Sequence, residues 1–264
     1  MSNDTGDVIR YNARAWDHQV ASGNQWTRPV SPGVIARARQ GDWSVLLTAT
    51  KPAPRRWFPD LAGLRVLCLA SGGGQQGPVL AAAGAEVTVY DNSPAQLAQD
   101  DFVADRDGLS LRTVQGDMQR LETFADGAFE LVVNPCSVCF VPDVSAVWKE
   151  VARVLAPGGV LLTGFIDPAV FIFDEERGRR GEVWVRHRLP YSDVNSLPAS
   201  ERKALKDAAE PFVWSHSLET LLGGQLAAGL RLTDLYEDRW TGQAWSDFMP
   251  GMLATRAVKD TVTG

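Results

Sequence analysis

The sequence predicts an α/β fold in which a mostly parallel sheet carries helices on both faces. Two observations support this prediction. From residue 64 onward, short apolar segments of strand length alternate with segments whose apolar residues recur at helical spacing. A glycine-rich turn joins the first apolar segment to the first helical one. Because strands that alternate with helices are joined by right-handed crossovers, they run parallel in one doubly wound sheet.

Strands and helices alternate regularly from residue 64 to residue 166, and further elements follow after residue 197. The expected strands are residues 64–69, 86–90, 111–115, 129–135, 160–162, 230–236 and 254–259. The expected helices are residues 32–39, 78–83, 94–106, 144–155, 198–205 and 217–228. Residues 64–69 are apolar on both faces, as a central parallel strand should be.

Two segments depart from this rhythm. Residues 1–60 precede the first strand, and we interpret them as an N-terminal helical cap. Residues 61–264 form the main domain, which carries an insertion at 167–215 after the fifth strand. Such an insertion lies above the carboxyl edge of the sheet, where ligands bind, so we expect a lid-like segment.

Composition narrows the range of partners. The chain has 264 residues, a net charge of −6 and three cysteines. Proteins that bind the phosphate backbone of nucleic acids usually present a basic surface, whereas this chain is acidic, so nucleic acid is not an expected partner. No apolar stretch approaches the length of a membrane span and no secretory signal is visible, which predicts a cytoplasmic protein without a membrane partner. The sequence leaves open whether the chain forms a homodimer.

The most informative stretch runs from the first strand to the end of the second. Three glycines, Gly72, Gly73 and Gly74, follow apolar residues 66–69, and Asp91 comes 19 residues after Gly72. Glycine lets a ligand approach the backbone closely, and the following helix N-terminus favours negative charge. A carboxylate roughly 20 residues beyond such a loop binds ribose hydroxyls. The stretch therefore predicts a nucleoside-containing cofactor.

The glycine loop fits two motifs. Residues 72–77 match G-x-G-x-x-G, the dinucleotide motif, although Ala70 and Ser71 separate it from the strand. The alternative is acidic-x-Gly-x-Gly-x-Gly, in which Cys68 stands at the acidic position and Ala70 at the first glycine.

Three later segments favour the second motif. Residues 114–118 end a strand with Gly-Asp, residues 129–135 form a strand with a polar residue at its carboxyl end, and residues 147–162 form a helix, a Pro-Gly-Gly turn and a strand. In this order, residues 64–166 resemble the core of class I S-adenosylmethionine-dependent methyltransferases. The resemblance is strongest to small bacterial enzymes of the ubiquinone/menaquinone-methyltransferase-like kind.

The resemblance implies a Rossmann-like, seven-stranded sheet whose last two strands form an antiparallel hairpin. It implies S-adenosyl-L-methionine as cofactor. Asp91 would then bind the ribose, and Asn92 would contact the adenosine. Asp117 would accept from the adenine amino group, with Met118 against the ring, and the backbone of Asn134 would meet the methionine amino group. The loop that holds the cofactor comprises Ala70, Ser71, Gly72, Gly73 and Gly74.

The acceptor side is less defined. The resemblance implies transfer to a small or medium organic acceptor, recognised by the N-terminal segment and residues 167–215. A general base is needed only if the acceptor must lose a proton, and His18 and His187 are weak candidates, with His216 the third histidine. Cys136 and Cys139 form a lone C-x-x-C, too few ligands for zinc, so no metal is expected and we interpret them as small residues on the acceptor side.

Two other functions stay open. An NAD(P)-dependent oxidoreductase would use the same loop and Asp91, but the sequence lacks a Tyr-x-x-x-Lys pair. A non-catalytic S-adenosylmethionine-binding protein is compatible with Cys68 and Ala70 in the first motif.

Overall fold

The computed structural model describes residues 5–261, and within them one sheet has the strand order β3-β2-β1-β4-β5-β7-β6. The strands are β1 Arg65–Leu69, β2 Glu86–Asp91, β3 Leu111–Gln115, β4 Phe129–Asn134, β5 Leu155–Ile166, β6 Leu230–Asp238 and β7 Met252–Lys259. The helices are α1 Thr5–Ala21, α2 Pro32–Arg39, α3 Gln76–Ala82, α4 Pro94–Asp107, α5 Val144–Val154, α6 Glu175–Arg179, α7 Asp193–Ser196, α8 Ala199–Asp207 and α9 Gly224–Ala227. A π-helical turn, Glu219–Gly223, runs directly into α9.

The sheet is mixed. β1 pairs in parallel with β2 and β4, and the outer pairs β2–β3 and β4–β5 are also parallel. β7 runs antiparallel to both β5 and β6 and lies between them. The predicted α/β, Rossmann-like class and the seven strands are confirmed, with β7 as the reversed strand.

The fifth strand begins earlier than the sequence predicts. Leu155 already pairs with Phe129, and the pairing shifts before Leu131 meets Val160. The Pro-Gly-Gly stretch, which the sequence predicts to be a turn, therefore lies inside β5 as an irregularity in its pairing with β4.

The core has two halves, one on each face of the sheet. In β1, Val66 and Cys68 pack toward α2 and α3, whereas Leu67 and Leu69 pack toward α5, and all four are fully buried. This alternation explains why the strand is apolar throughout. β1 lies in the interior of the sheet between β2 and β4, so the loop that follows it emerges between these neighbours at the carboxyl edge.

The N-terminal segment crosses that edge. A Cβ at Gly164 in β5 would lie 1.9 Å from the Leu47 carbonyl oxygen, so only glycine allows the segment to pass this closely. Cys136 N–H, just beyond β4, donates to the same carbonyl at 3.0 Å. Residues 45–49 are thereby held across the ends of β4 and β5.

Two side chains, one in the middle of α1 and one a turn further on, attach the helix to the rest of the protein. The amide of Asn12 donates to the carbonyls of Phe140 and Phe212 at 2.9 and 3.0 Å, and its oxygen accepts from Phe212 N–H at 2.9 Å. Asp17 accepts from the Ser93 hydroxyl at 2.6 Å, next to the N-terminus of α4. No helix in residues 5–261 has both the length and the apolar character needed to cross a bilayer.

Candidate active site

A cavity of about 190 Å³ lies at the carboxyl edge of the sheet. The turns after β1, β2, β3 and β4 all reach it, because parallel strands end at the same edge. The lining from these turns is Ala70, Ser71, Gly72, Asp91, Asn92, Gly116, Asp117, Met118, Pro135, Cys136 and Ser137. Seven of the ten predicted cofactor residues are thus brought together: Ala70, Ser71, Gly72, Asp91, Asn92, Asp117 and Met118. Their contacts with a cofactor remain predictions.

The three loop glycines differ in position. Gly72 faces the cavity, and a Cβ there would lie 2.6 Å from Gln96 Cβ of α4. Gly73 and Gly74 do not line the cavity. Both have positive φ, and added Cβ atoms would approach the carbonyls of Trp26 and Gln99 to 2.9 and 2.8 Å. They allow the loop to fit between α4 and the N-terminal segment.

Ala70 carries the local strain of the loop. It has φ +46°, one of two positive-φ positions in the described chain that are not glycine. Ala70 occupies a position where the resembling family has glycine, a residue that adopts positive φ at little cost. In this chain the alanine adopts the left-handed backbone itself.

Asp91 sits where the sequence predicts a sugar-binding carboxylate. It is 8 % exposed, and its two oxygens accept from Gly72 N–H and Ser93 N–H, each at 3.0 Å. Burial raises the pKa of Asp91, and the hydrogen bonds from Ser93 and Gly72 oppose this rise. A carboxylate has about four lone-pair sites, so acceptor capacity remains for a ligand in the cavity.

A second buried carboxylate was not foreseen. Asp100 of α4 is fully buried and accepts from Gly73 N–H at 3.0 Å. Burial raises the pKa of Asp100 well above its usual range, although hydrogen bonds from Gly74 and Gly73 oppose it. Its other oxygen, like Gln96 Oε1, has no partner among the described residues. The sequence signal was present, since Asp100 lies three residues after Leu97 on the apolar face of α4.

Asp117 and Met118 lie beyond β3 as expected. Both Asp117 oxygens accept from the Gln119 side chain, at 3.1 and 3.0 Å, and Met118 is buried at 8 % exposure. A Cβ at Gly116 would lie 1.9 Å from the Tyr90 hydroxyl oxygen. Glycine is therefore required for the turn that presents Asp117 to the cavity.

Asn134 is placed differently. Its side chain is fully buried, donates to Leu69 O and Ser137 Oγ at 2.8 Å each, and accepts from Thr163 at 2.9 Å. It does not line the cavity. The side chain ties β1, β4 and β5 together, and the residues just after it, Pro135 and Cys136, form the wall. Its predicted backbone role toward the cofactor remains a prediction.

The histidines do not line this cavity. His18 is exposed on α1, and His187 lies at a second cavity described below. His216 Nε2 lies 3.1 and 3.0 Å from the carbonyls of Val138 and Val141, and burial lowers the pKa of His216. The catalytic role considered for His18 and His187 remains a prediction.

The N-terminal segment closes the other side of the cavity. Trp16 of α1 reaches the wall and packs edge-on against Phe140, with ring centroids 5.1 Å apart. The Thr48 hydroxyl, also on the wall, donates to Asp238 at 2.7 Å. Burial raises the pKa of Asp238, but hydrogen bonds from Thr50, Lys51 N–H and Thr48 outweigh it and lower the pKa to about 2. These contacts hold residues 48–51 in place, and no motif in the sequence predicts them.

A second cavity, of about 560 Å³, adjoins the first. The two share the wall residues Cys139, Phe140, Ile166 and Trp240. The remaining wall of the second cavity comes largely from residues 170–213. The wall shared by the two cavities provides a place where ligands on either side could meet.

The C-x-x-C pair lies at this junction. Cys136 and Cys139 are free thiols on the wall of the first cavity. A hydrogen bond with the Cys136 thiol, together with burial, raises the pKa of Cys139 well above its usual range, which makes it an unreactive thiol. The described part of the chain contains no group of three or more side chains suited to hold a metal ion.

Fold and site together define an α/β protein with a glycine-rich loop and a buried carboxylate at a cavity on the carboxyl edge of its sheet. The comparisons identify which kind. The methyltransferase domain family matches residues 67–163. The chain is 46% identical over 252 residues to the uncharacterized methyltransferase YbaJ of Bacillus subtilis (strain 168), covering 96% of this chain and 98% of that protein. The chain therefore belongs to the class I S-adenosylmethionine-dependent methyltransferases, and S-adenosyl-L-methionine is its methyl donor.

Two further similarities are narrower. A ubiquinone biosynthesis O-methyltransferase of Xanthomonas oryzae pv. oryzae is 37% identical over 119 residues, 42% of this chain and 48% of that protein. The crystal structure of an S-adenosylmethionine dependent methyltransferase from Mesorhizobium loti has a TM-score of 0.60 at 18% identity, covering 77% of this chain and 94% of that one. This structural likeness supports the fold.

Proposed function

We propose that the protein methylates a small or medium organic acceptor that occupies the second cavity while the cofactor occupies the first. The observation that carries this proposal is the common wall of the two cavities, formed by Cys139, Phe140, Ile166 and Trp240. The two other functions considered from the sequence are not favoured, because the family of the chain is that of methyl-transferring enzymes.

The residues of the first cavity fit the cofactor. Gly72 leaves space that a Cβ would fill, and Asp91 keeps free acceptor capacity for a sugar diol. Met118 and Trp26 offer apolar surface for a base. In our proposal Asp91 holds the ribose, Asn92 and Asp117 hold the adenosine, and the loop around Ser71 holds the amino-acid end.

Bound S-adenosylmethionine supplies a methyl group on a positively charged sulfur, which makes the methyl electrophilic. The chain's own task is to position the acceptor atom and exclude water, and positioning can supply about 7–11 kcal/mol of a barrier. Residues 45–49 and α1 cover the first cavity, while residues 167–215 cover the second and act as a lid-like segment in this proposal.

The size of the second cavity and the net charge of the chain support a small organic acceptor. A second cavity of about 560 Å³ suits a small molecule. The net charge of −6 argues against a nucleic-acid acceptor. Assembly of the chain into a homodimer remains a separate proposal, which sedimentation of the full-length protein would test.

Turnover against an acceptor panel tests the proposal. The panel should contain amines, phenols, thiols and carboxylic acids, with release of S-adenosylhomocysteine as the readout. We expect Ile166→Trp, which fills the junction, to reduce turnover at least tenfold while the affinity for S-adenosylhomocysteine stays within threefold. Unchanged turnover in this variant would place the acceptor elsewhere, and binding of NAD in preference to S-adenosylhomocysteine would refute the proposed chemistry.

A further inference from the structure

The second cavity has aromatic walls. Phe171 stacks on Tyr191 with centroids 5.8 Å apart, and His187 packs against the same tyrosine at 4.6 Å. Phe173 stacks on Trp245 at 6.1 Å. All five side chains line the cavity. Such rings bury apolar ligand surface, and their faces attract cations.

Most charges on these walls are already neutralised. Arg186 pairs with Asp174 at 3.3 Å and with Glu201 at 2.6 Å. Arg179 pairs with Glu175 at 2.7 Å, and Glu176 pairs with an arginine outside the cavity wall. Both arginines of the wall are therefore engaged by carboxylates, which leaves no free cation among the described wall residues for an anionic ligand.

Asp193 is the exception among the carboxylates. It lines the cavity at 6 % exposure, and among residues 5–261 no cationic side chain lies within salt-bridge distance of it. It accepts from the Tyr191 hydroxyl at 2.6 Å and from Val213 N–H at 2.8 Å. Two bonds leave part of its acceptor capacity unused. A buried negative charge without a cation is costly, and a ligand cation would relieve that cost.

Asp193 also lies close to the junction. Ser192, the residue before it, pairs with Trp214 in an isolated antiparallel bridge. Cys139 belongs to the wall shared by both cavities, and Trp214 N–H donates to its carbonyl at 2.8 Å. A group held by Asp193 would therefore stand near the place where the two cavities meet.

We propose that the methyl acceptor is an organic amine with an aromatic or other apolar body, recognised in its ammonium form by Asp193 and the surrounding rings. This inference rests on the proposed function. Before transfer the ammonium would release one proton to solvent water. The nitrogen lone pair would then form the new C–N bond as the donor's C–S bond breaks and its electron pair returns to sulfur, which leaves neutral S-adenosylhomocysteine. The methylammonium product carries the positive charge that the sulfonium has lost.

Paired probes test this inference. Benzylamine, phenethylamine and tryptamine would be titrated calorimetrically into the protein saturated with S-adenosylhomocysteine. The matched acids, phenylacetate, 3-phenylpropionate and indole-3-propionate, would be titrated in the same way. We expect at least one amine to bind, and each acid to bind at least tenfold more weakly than its amine. In a separate assay with S-adenosylmethionine, the amine that binds should be methylated. Acids that bind as well as their amines, or a panel in which no amine binds, would overturn the inference.

Variants separate recognition from structure. Asp193→Asn keeps the side-chain shape and should weaken amine binding at least tenfold, while Tyr191→Phe, which removes one hydrogen bond to Asp193, should have a smaller effect. Asp207→Asn removes one charge from a carboxylate that pairs with Lys203 outside both cavities, and it should bind the amine normally. Amine affinity unchanged in folded Asp193→Asn, checked by its melting temperature, would overturn the inference.

The same titrations separate this inference from the proposed function. If wild-type protein binds S-adenosylhomocysteine but no amine, only the amine inference fails. If it does not bind S-adenosylhomocysteine, the proposed function fails as well.

Discussion

Replacement of Asn12 by alanine should both destabilise the protein and weaken cofactor binding. Asn12 is fully buried and makes three hydrogen bonds, to Phe140 O, Phe212 O and Phe212 N–H. Alanine leaves these three groups buried without partners, at a cost of about 1–3 kcal/mol each before relaxation. Allowing for relaxation and water entry, we expect a loss of about 3 kcal/mol in the free energy of unfolding.

The consequence for the site follows from Trp16. It lies one helical turn after Asn12 and forms part of the first cavity wall. When α1 loosens, this wall moves, so S-adenosylhomocysteine should bind at least fivefold more weakly.

Urea denaturation and calorimetry would measure both effects. A loss of about 3 kcal/mol corresponds to a fall of roughly 6–12 °C in melting temperature for a chain of this size. Asn195→Ala is the matched control, because Asn195 is exposed, and it should change stability by less than about 0.5 kcal/mol. A loss below about 1 kcal/mol in Asn12→Ala would refute the reasoning, since the three hydrogen bonds would then contribute little.

Two further predictions concern the segment that crosses the sheet edge. Gly164→Ala places a Cβ 1.9 Å from Leu47 O, so we expect residues 45–49 to shift. The affinity for S-adenosylhomocysteine, measured by calorimetry, should then fall at least tenfold. An unchanged affinity would contradict this prediction. The pKa of Asp238 is lowered to about 2 in the folded protein. Its ionised form therefore stabilises the fold by roughly 2 kcal/mol above pH 4. This contribution to the free energy of unfolding is lost as the pH falls from 4 toward 2. In urea denaturation the stability advantage of wild type over Asp238→Asn should therefore shrink across that interval, and an advantage independent of pH would contradict the assignment.

The sequence was sufficient to predict the sheet and the edge where the cavity forms. β1 is apolar on both faces because both faces are buried, and this local pattern is visible without a structure. The separation of 19 residues between Gly72 and Asp91 predicted an acidic side chain beside the glycine loop, and in the structure Gly72 N–H donates to Asp91 at 3.0 Å. These features depend on contacts that are close in sequence or imposed by the α/β architecture.

Other features depend on contacts between distant parts of the chain. Asn12 meets Phe212, 200 residues away, and nothing around Asn12 in the sequence indicates that pairing. Asp193 lies at the second cavity because residues 167–215 fold over that part of the protein. This segment has no regular alternation of strands and helices from which the position of Asp193 could be predicted. Asn134 stood at a predicted site position, yet its side chain is used to join three strands.

Asp91 provides the most direct test of how the cofactor is bound. Calorimetric titration with S-adenosylhomocysteine would compare wild type, Asp91→Asn and the control Asp101→Asn, whose carboxylate is exposed on α4. Hydrogen bonds to a charged group contribute about 1.5–3 kcal/mol each, so the loss of charge at Asp91 should weaken binding by roughly 10- to 100-fold, and the control should bind as wild type does. Equal affinity in all three proteins would contradict the account that Asp91 holds the ribose.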